Sequence, residues 1–459
     1  MLITSKVIRV AFSKKDHQRD IKRSISKTIF VTGPNTVSST LAQDISEIQA
    51  SVVSPSKSRV AILRQISEHD KKKRFVEIWA DDRLEASQEV TNIHGAFSTG
   101  GKLFSDHIDA SSHRFLDVLL SLSFSPSENA LLYTAEANEP TTSEANEDVS
   151  PYERYRYTPQ FGEGYPGQKR PTLYLFRWGT STELGTESTK LTALSFPKSA
   201  GHVLIGQAVF ASEDCVFATG FEYTESGRLL GIKYCFNRPT SVWMLHIPEI
   251  GLVDTSSTTE LALVSRVTST DHSSRSPRVL PGESTVFWLS NATGGSHSSC
   301  TSLYSLNFLT MEKKTVVDSI WEPDADGFPG LYPDFSLPSQ PFLKLGSVSY
   351  VTTHSVWGSR STVLLIALND GRVRDLTPDK DGILYSWMVL GTDGHKQIIC
   401  GRSSPSIPYE VVLGRVDDAG GVSWQIISQP TLTPESMSMI IIYGGWWLTR
   451  LTPFKSKKI

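Results

Sequence analysis

A serine between small residues is the simplest sign that a chain can break a covalent bond, and Gly294-Gly295-Ser296-His297-Ser298 supplies one. A nucleophile elbow holds its serine on a strained strand-to-helix turn, so small residues are required on both flanks. Here the second residue after the serine is Ser298 rather than glycine, and Cys300-Thr301-Ser302-Leu303-Tyr304-Ser305-Leu306 alternates with a period of two. That alternation marks a strand, not the helix an elbow needs. The segment is expected to be a Gly/Ser hairpin turn, with Ser296 outside any catalytic role.

Other chemistries find less support. The eleven histidines show neither H-x-H nor H-x-x-x-H ligand spacing, and the four cysteines (Cys215, Cys235, Cys300, Cys400) contain no C-x-x-C pair. No metal site and no cofactor are expected. A G-x-x-x-x-G-K-[ST] phosphate loop is absent, and Asp81-Asp82 and Asp324 with Asp326 read as turn acids.

The elements that must position such residues are strands. A turn rich in Ser, Pro, Asp or Gly repeatedly leads into an apolar β run, and a second alternating run follows after a polar gap. Examples are Ser54 to Leu63 answered by Arg74 to Trp79, and Phe124 to Tyr133 answered by Leu173 to Phe176. Val209 to Ala218 is answered by Ser241 to Leu245. Fainter copies are Ser276-Pro277 leading to Thr285 to Leu289, Thr362 to Leu368, and Ile398 to Pro405 with Glu410 to Gly414. One such unit cannot bury both faces, so repeats are expected to stack radially as an all-β propeller; a β-sandwich or solenoid is the alternative. Six units are visible, with room for a further blade before Val60 and in Leu331 to Val356. Only Asp44 to Ser51 and Ser111 to Leu120 are candidate helices, and Glu136 to Tyr152, Ser256 to Ser276 and Pro323 to Gln340 read as loops.

Composition narrows the setting. Over 459 residues the formal net charge is −3, which argues for neither nucleic acid nor a strongly charged partner. Charges interrupt the start Met1 to Phe12, so the apolar stretch of about 7–15 residues that a secretory signal needs is not there. Met439 to Leu448 is too short, and broken by Gly444-Gly445, to span a membrane. A reduced, cytoplasmic protein is expected, in which Asn291-Ala292-Thr293 is not a working glycosylation site.

Four stretches carry a family likeness: Lys73 to Trp79, Leu122 to Glu136, Tyr157 to Gly167 and, above all, Gly220 to Pro239. Together they resemble the acylaminoacyl-peptidases (acylamino-acid-releasing enzymes) of the prolyl-oligopeptidase clan, from about Val60 to Pro430. The resemblance implies a seven-bladed propeller that precedes an α/β-hydrolase domain. It also implies an activity that releases N-acylated amino acids from short blocked peptides, without a cofactor. Family members continue into a His-Gly-Gly-Pro strand, a Gly-x-Ser-x-Gly elbow, and then aspartate and histidine. None of these follows Gln429 to Pro434, where Ser436 to Ile459 reads as an aberrant splice or frame product, or a short isoform.

The expected organisation is therefore residues 1–45 as an N-terminal segment (part of a blade or an interdomain helix), 46–430 as the propeller, and 431–459 as an irregular tail. The propeller would gate substrate, would be inactive alone for want of a Ser-Asp-His triad, and would leave self-association open. A free-standing scaffold propeller that binds other proteins is the rival. Within the signature, Arg238 is the single site candidate: its fork can meet a peptide carboxylate or a facing acid, or form a structural ion pair between blades.

Overall fold

The computed structural model describes residues 2–430 apart from internal stretches, of which 99–117, 139–151, 181–186, 250–256 and 378–383 are the longest. The chain is all-β, a seven-bladed β-propeller in which each blade is a sheet of four or five strands. Blade 1 comprises Leu2–Ile3, Val7–Asp16, Ile21–Val31 and Val37–Ser39, with Gln43–Asp44 also paired to its third strand. Blade 2 runs from Ile48–Val53 to Arg83–Glu89, and blade 3 from Leu122–Phe124 to Glu187–Ser195. Blade 4 begins at Val203–Phe210 and blade 5 at His272–Val279. Blade 6 spans Phe342–Leu345 to Val373–Asp375, and blade 7 Ser386–Thr392 to Val422–Ser428.

Two compact units are formed: Met1–Asp44, Glu322–Asp334 and the chain from Pro338 onward hold blades 1, 6 and 7, whereas Ile45–Trp321 with Phe335–Leu337 holds blades 2 to 5. In the second unit, side-chain alternation explains the stacking. Along Ala130–Glu136, Leu131 and Tyr133 join the core shared with Leu63, Val76 and Ile78 of blade 2. Ala130 and Leu132 point the other way, to Val203, Ile205 and Val216 of blade 4. Blade 4 repeats the pattern, Val216 and Ala218 facing blade 3 while Phe217 packs with Val286 and Trp288 of blade 5. A period of two thus feeds two interfaces from one strand. This is why the second strands of blades 3, 4 and 5 are buried at almost every position, whereas the outer strand Glu312–Val317 is charged and exposed at its start.

The Ser-Pro turns add polar links between blades. In the turn before blade 2's second strand, Ser56 donates its amide and its hydroxyl to Glu128 at 2.5 and 2.8 Å. Glu128 belongs to the equivalent turn of blade 3. Ser127 of that turn in its turn donates to Glu213 of blade 4 at 2.5 and 2.9 Å. In blade 2 itself, Glu77 of the Glu-x-Trp stretch is buried, bound by both arms of Arg64 at 2.8 and 3.0 Å and by the Trp79 indole at 2.8 Å.

In the first unit, blade 7 uses the same alternation. Ile398, Cys400 and Val412 face Val363 and Leu365 of blade 6, while Ile399, Val411 and Leu413 pack on Ile8, Val10, Ile29 and Val31 of blade 1. Among the described residues no strand of blade 1 pairs with a strand of blade 7; the first and last sheets meet through packed side chains and a bond from Gln425 Nε2 to the Gly33 carbonyl at 3.4 Å.

The seventh sheet, Leu2–Asp44, lies in the room expected before Val60, although its charged strands hid it from the repeat pattern. Several other expectations change. Asp44 to Ser51 is not helical: Ile48–Val53 is the first strand of blade 2, in register with Val60 to Arg64. Residues 111–117 and most of Glu136 to Tyr152 lie outside the described residues, as does the tail from Thr431, and Val118 to Leu120 closes in a turn. Ser256 to Ser276 is not one loop, because Thr258–Glu260 joins blade 3 in parallel and Val264–Arg266 completes blade 4. Ser276-Pro277 is not a turn either, but lies inside the first strand of blade 5.

Blade 1 to blade 7 packing gives a stability prediction. Ile29 is 0% exposed at this seam. Ile29→Ala should cost about 2–5 kcal/mol in urea unfolding, and Leu413→Ala a similar amount, with non-additive effects in the double variant because the two sit in one cluster. Additive costs, or losses near zero, would contradict this packing.

Candidate functional site

The two most distinctive sequence stretches meet in space. Tyr157 donates its hydroxyl to the Leu229 carbonyl at 3.0 Å and accepts from the Leu229 amide at 2.7 Å, so one phenol satisfies both main-chain groups of a residue in the Gly220 to Pro239 run. Four residues on, the Phe161 carbonyl accepts from the Ile232 amide at 3.3 Å. Between these bonds the backbones touch: a Cβ on Gly162 would lie 2.8 Å from the Gly231 Cα. Gly162 also holds φ +87°, a left-handed conformation open chiefly to glycine. An apolar cluster of Phe161, Tyr165, Leu204, Phe221, Leu229, Ile232 and Phe335 sits beneath the contact.

Asn237, in the same run, secures the glycine-serine turn. Its carbonyl accepts from the Gly294 amide at 3.0 Å, and its side-chain amide donates to the Gly295 carbonyl. Ser296 is exposed in this turn between Thr285–Ala292 and Ser302–Asn307, as the alternation of Cys300 to Leu306 implied. Among the described residues no serine, threonine or cysteine side chain is hydrogen-bonded to a histidine ring. His94 is spent between the Gly95 carbonyl and the Tyr133 hydroxyl, each at 2.9 Å, and burial lowers its pKa to about 4. His354 is held by Asp334 at 2.9 Å and by the Val389 amide. No group of three or more His, Cys, Asp or Glu suited to a metal ion occurs among the described residues.

Arg238 is half-buried, and its bonds stay within its own loop: Nε donates to the Gly231 carbonyl at 3.2 Å and Nη2 to the Cys235 sulfur at 3.8 Å. Among the described residues no carboxylate pairs with it, so the ion pair between blades is not formed there, and Nη1 makes no hydrogen bond. The loop it braces is the one that seats Gly231 on Gly162. Asn291 of the sequon is 2% exposed and donates into the 299–301 turn, which removes it from any modifying enzyme's reach.

Sequence reasoning missed a second arginine. Arg275 is 0% exposed, its Nη1 donates to Asn291 at 2.5 Å, and its guanidinium lies 4.8 Å from the Phe236 ring centre and 5.2 Å from that of Phe335. Burial lowers its pKa to about 9. The signal available was an arginine inside a serine-rich strand, but reading Ser276-Pro277 as a turn concealed it.

The close approach at Gly162 separates two glycine substitutions. Gly162→Ala should cost more than about 2 kcal/mol, because a positive φ and a backbone clash act together, whereas Gly167→Ala (φ +72°, nothing within 4 Å) should cost only about 1 kcal/mol. Equal losses in denaturant unfolding would remove the Gly162–Gly231 contact from the account.

Comparison with known proteins supplies the family. Residues 5–438 match the family described as acylamino-acid-releasing enzyme, N-terminal domain. Acylamino-acid-releasing enzyme 1 of Oryza sativa subsp. japonica is 25% identical over 437 residues, covering 87% of this chain and 52% of its own. The Mus musculus acylamino-acid-releasing enzyme is 24% identical over 412 residues, covering 83% and 50%. The chain thus spans about half the length of the curated relatives it matches. Among solved structures, the acylaminoacyl peptidase of Pyrococcus horikoshii aligns with 99% of the chain and 53% of its own at TM-score 0.47 and 11% identity. The β-propeller domain of the trilobed protease of Pyrococcus furiosus aligns over 94% and 97%, at TM-score 0.48 and 10% identity. With one match running through nearly all of the described residues, the chain belongs to the acylamino-acid-releasing enzyme N-terminal domain family.

Proposed function

We propose that this chain is the substrate-gating propeller of an acylaminoacyl-peptidase-type serine hydrolase and does not hydrolyse peptides by itself. The observation that carries the reading is family membership together with a site built for holding main chain rather than for cutting it. Peptide hydrolysis needs a nucleophile, a base oriented toward it and oxyanion donors acting as a unit. Here the tempting Ser296 stands in an exposed turn without a histidine bonded to it. An α/β-hydrolase domain would supply the triad, and the propeller would admit short N-acylated peptides and exclude folded ones. Arg238, with its open Nη1, is the proposed contact for an acidic group of the peptide or of that domain.

A cytoplasmic setting fits four free cysteines, one buried and three partly so, and no helix among the described residues is long and apolar enough to cross a membrane. Self-association belongs to the same proposal.

The test uses N-acetyl-alanine p-nitroanilide. The purified chain should give no turnover above buffer, and a chimera carrying a family hydrolase domain after Pro430 should cleave it, together with short acetylated peptides but not folded proteins. Turnover by the chain alone that Ser296→Ala abolishes would overturn this reading.

A further inference from the structure

In the second unit, a three-residue strap, Phe335-Ser336-Leu337, lies on the first strands of blades 4 and 5 and is gripped largely through its main chain. Arg275 Nε donates to the Phe335 carbonyl at 2.9 Å, the Leu337 amide donates to the Ser276 hydroxyl at 2.9 Å, and Arg278 Nη2 donates to the Leu337 carbonyl at 2.6 Å. Gln207 Nε2 donates to the Ser336 hydroxyl at 2.7 Å. Gln207 and Ser276 are both non-glycine residues in left-handed backbone, φ +53° and +60°, each within a bulge of its strand, and the Ser276 amide donates to Gln207 Oε1 at 2.9 Å. Bulges with such residues concentrate where side chains are re-aimed at a ligand.

The grip is incomplete at one atom. Nε and Nη2 share the edge of a guanidinium that accepts a carboxylate side-on with two parallel bonds. In Arg275 the Nε half of that edge holds the single oxygen of the Phe335 amide, while Nη2 is buried with no hydrogen-bond partner. No carboxylate pairs with this cation among the described residues, and its other oxygen partner is the neutral Asn291 side chain. An amide carbonyl has one oxygen to offer where the edge is built for two.

We propose that the strap is a built-in stand-in for a ligand, and that a short peptide with a free C-terminal carboxylate and an aromatic last residue displaces it, its two oxygens taking Nε and Nη2 of Arg275 and its ring the place of Phe335. The aromatic residue follows from the two rings, Phe236 and Phe335, that the guanidinium lies against at 4.8 and 5.2 Å from their centres. The burial that lowers the Arg275 pKa to about 9 gives an incoming anion a cation without a counter-ion to neutralise. The inference rests on the reading of the chain as a peptide-handling module and names the place and the polarity of the peptide.

Phe335→Ala removes the strap's ring from beside Arg275 and leaves the arginine and its main-chain bond to residue 335 in place, and its far-UV circular dichroism and melting temperature establish that it is folded. Calorimetric titration of this full-length variant should show N-acetyl-Ala-Ala-Phe acid binding at least 10-fold more tightly than its C-terminal amide, with the unaltered protein binding the acid more weakly than the variant. Arg275→Lys in the Phe335→Ala background keeps the charge and removes the fork, and should bring the acid-to-amide ratio close to 1; Arg275→Met should do the same where it folds. Equal binding of acid and amide, no binding to the folded Phe335→Ala protein, or a ratio that survives Arg275→Lys would each overturn the inference. Those failures would leave the chimera's activity untouched, so they do not merge with failure of the proposed function.

Discussion

The candidate site depends on a contact between two backbones. Gly231 can lie against Gly162 only because neither carries a side chain, and once they touch, Tyr157 and Phe161 reach the amides of Leu229 and Ile232. Those bonds fix the loop from which Phe236, Asn237 and Arg238 project. Phe236 covers the buried Arg275, Asn237 anchors the turn that contains Ser296, and Arg238 closes the loop on itself. A family signature that reads as an unbroken run of residues is, physically, a clamp on one loop.

Blades 3 and 4 provide the platform for that loop through a division of labour along each strand. Residues such as Leu131 and Leu132 serve opposite neighbours, so blade 3 is stabilised on both faces by the same alternation that formed its strands. The glutamate links from Glu128 to Ser56 and from Glu213 to Ser127 add direction, since in each link a carboxylate reaches the turn of the preceding blade. They fasten polar turns that apolar packing does not reach. The first and last sheets, lacking a shared strand, rest on the cluster of Ile8, Ile29, Val411 and Leu413.

How much of this was legible in the sequence follows from where each signal resides. Second strands such as Ala130–Glu136 and Cys215–Glu222 are buried on both faces and therefore stand out as apolar runs, which is why six blades could be read. Blade 1 could not, because Val7–Asp16 and Ile21–Val31 carry Lys14, Lys15, Lys22 and Arg23 on long hairpin ends that project into solvent. The hairpin turn at Gly294 was legible from local spacing. Arg238 was visible only through the resemblance, and its pairing was not. The Arg275 cluster had no local signal, since its partners Asn291 and Phe335 are 16 and 60 residues away and meet it only through topology. Gln207 and Ser276, left-handed without being glycine, also defeat rules that look for glycine at such positions.

Hydrogen exchange at the amides of Leu229 and Ile232 tests most directly whether the two signature stretches form one clamped loop. The account predicts that both amides are protected in the intact chain, and that Tyr157→Phe, which removes the hydroxyl that both donates to and accepts from Leu229, speeds exchange at Leu229 by about 10-fold or more while leaving blade cores such as Leu132 and Val216 unchanged. Leu229 and Ile232 amides that exchange at unprotected rates in the intact chain, or that ignore Tyr157→Phe, would contradict it.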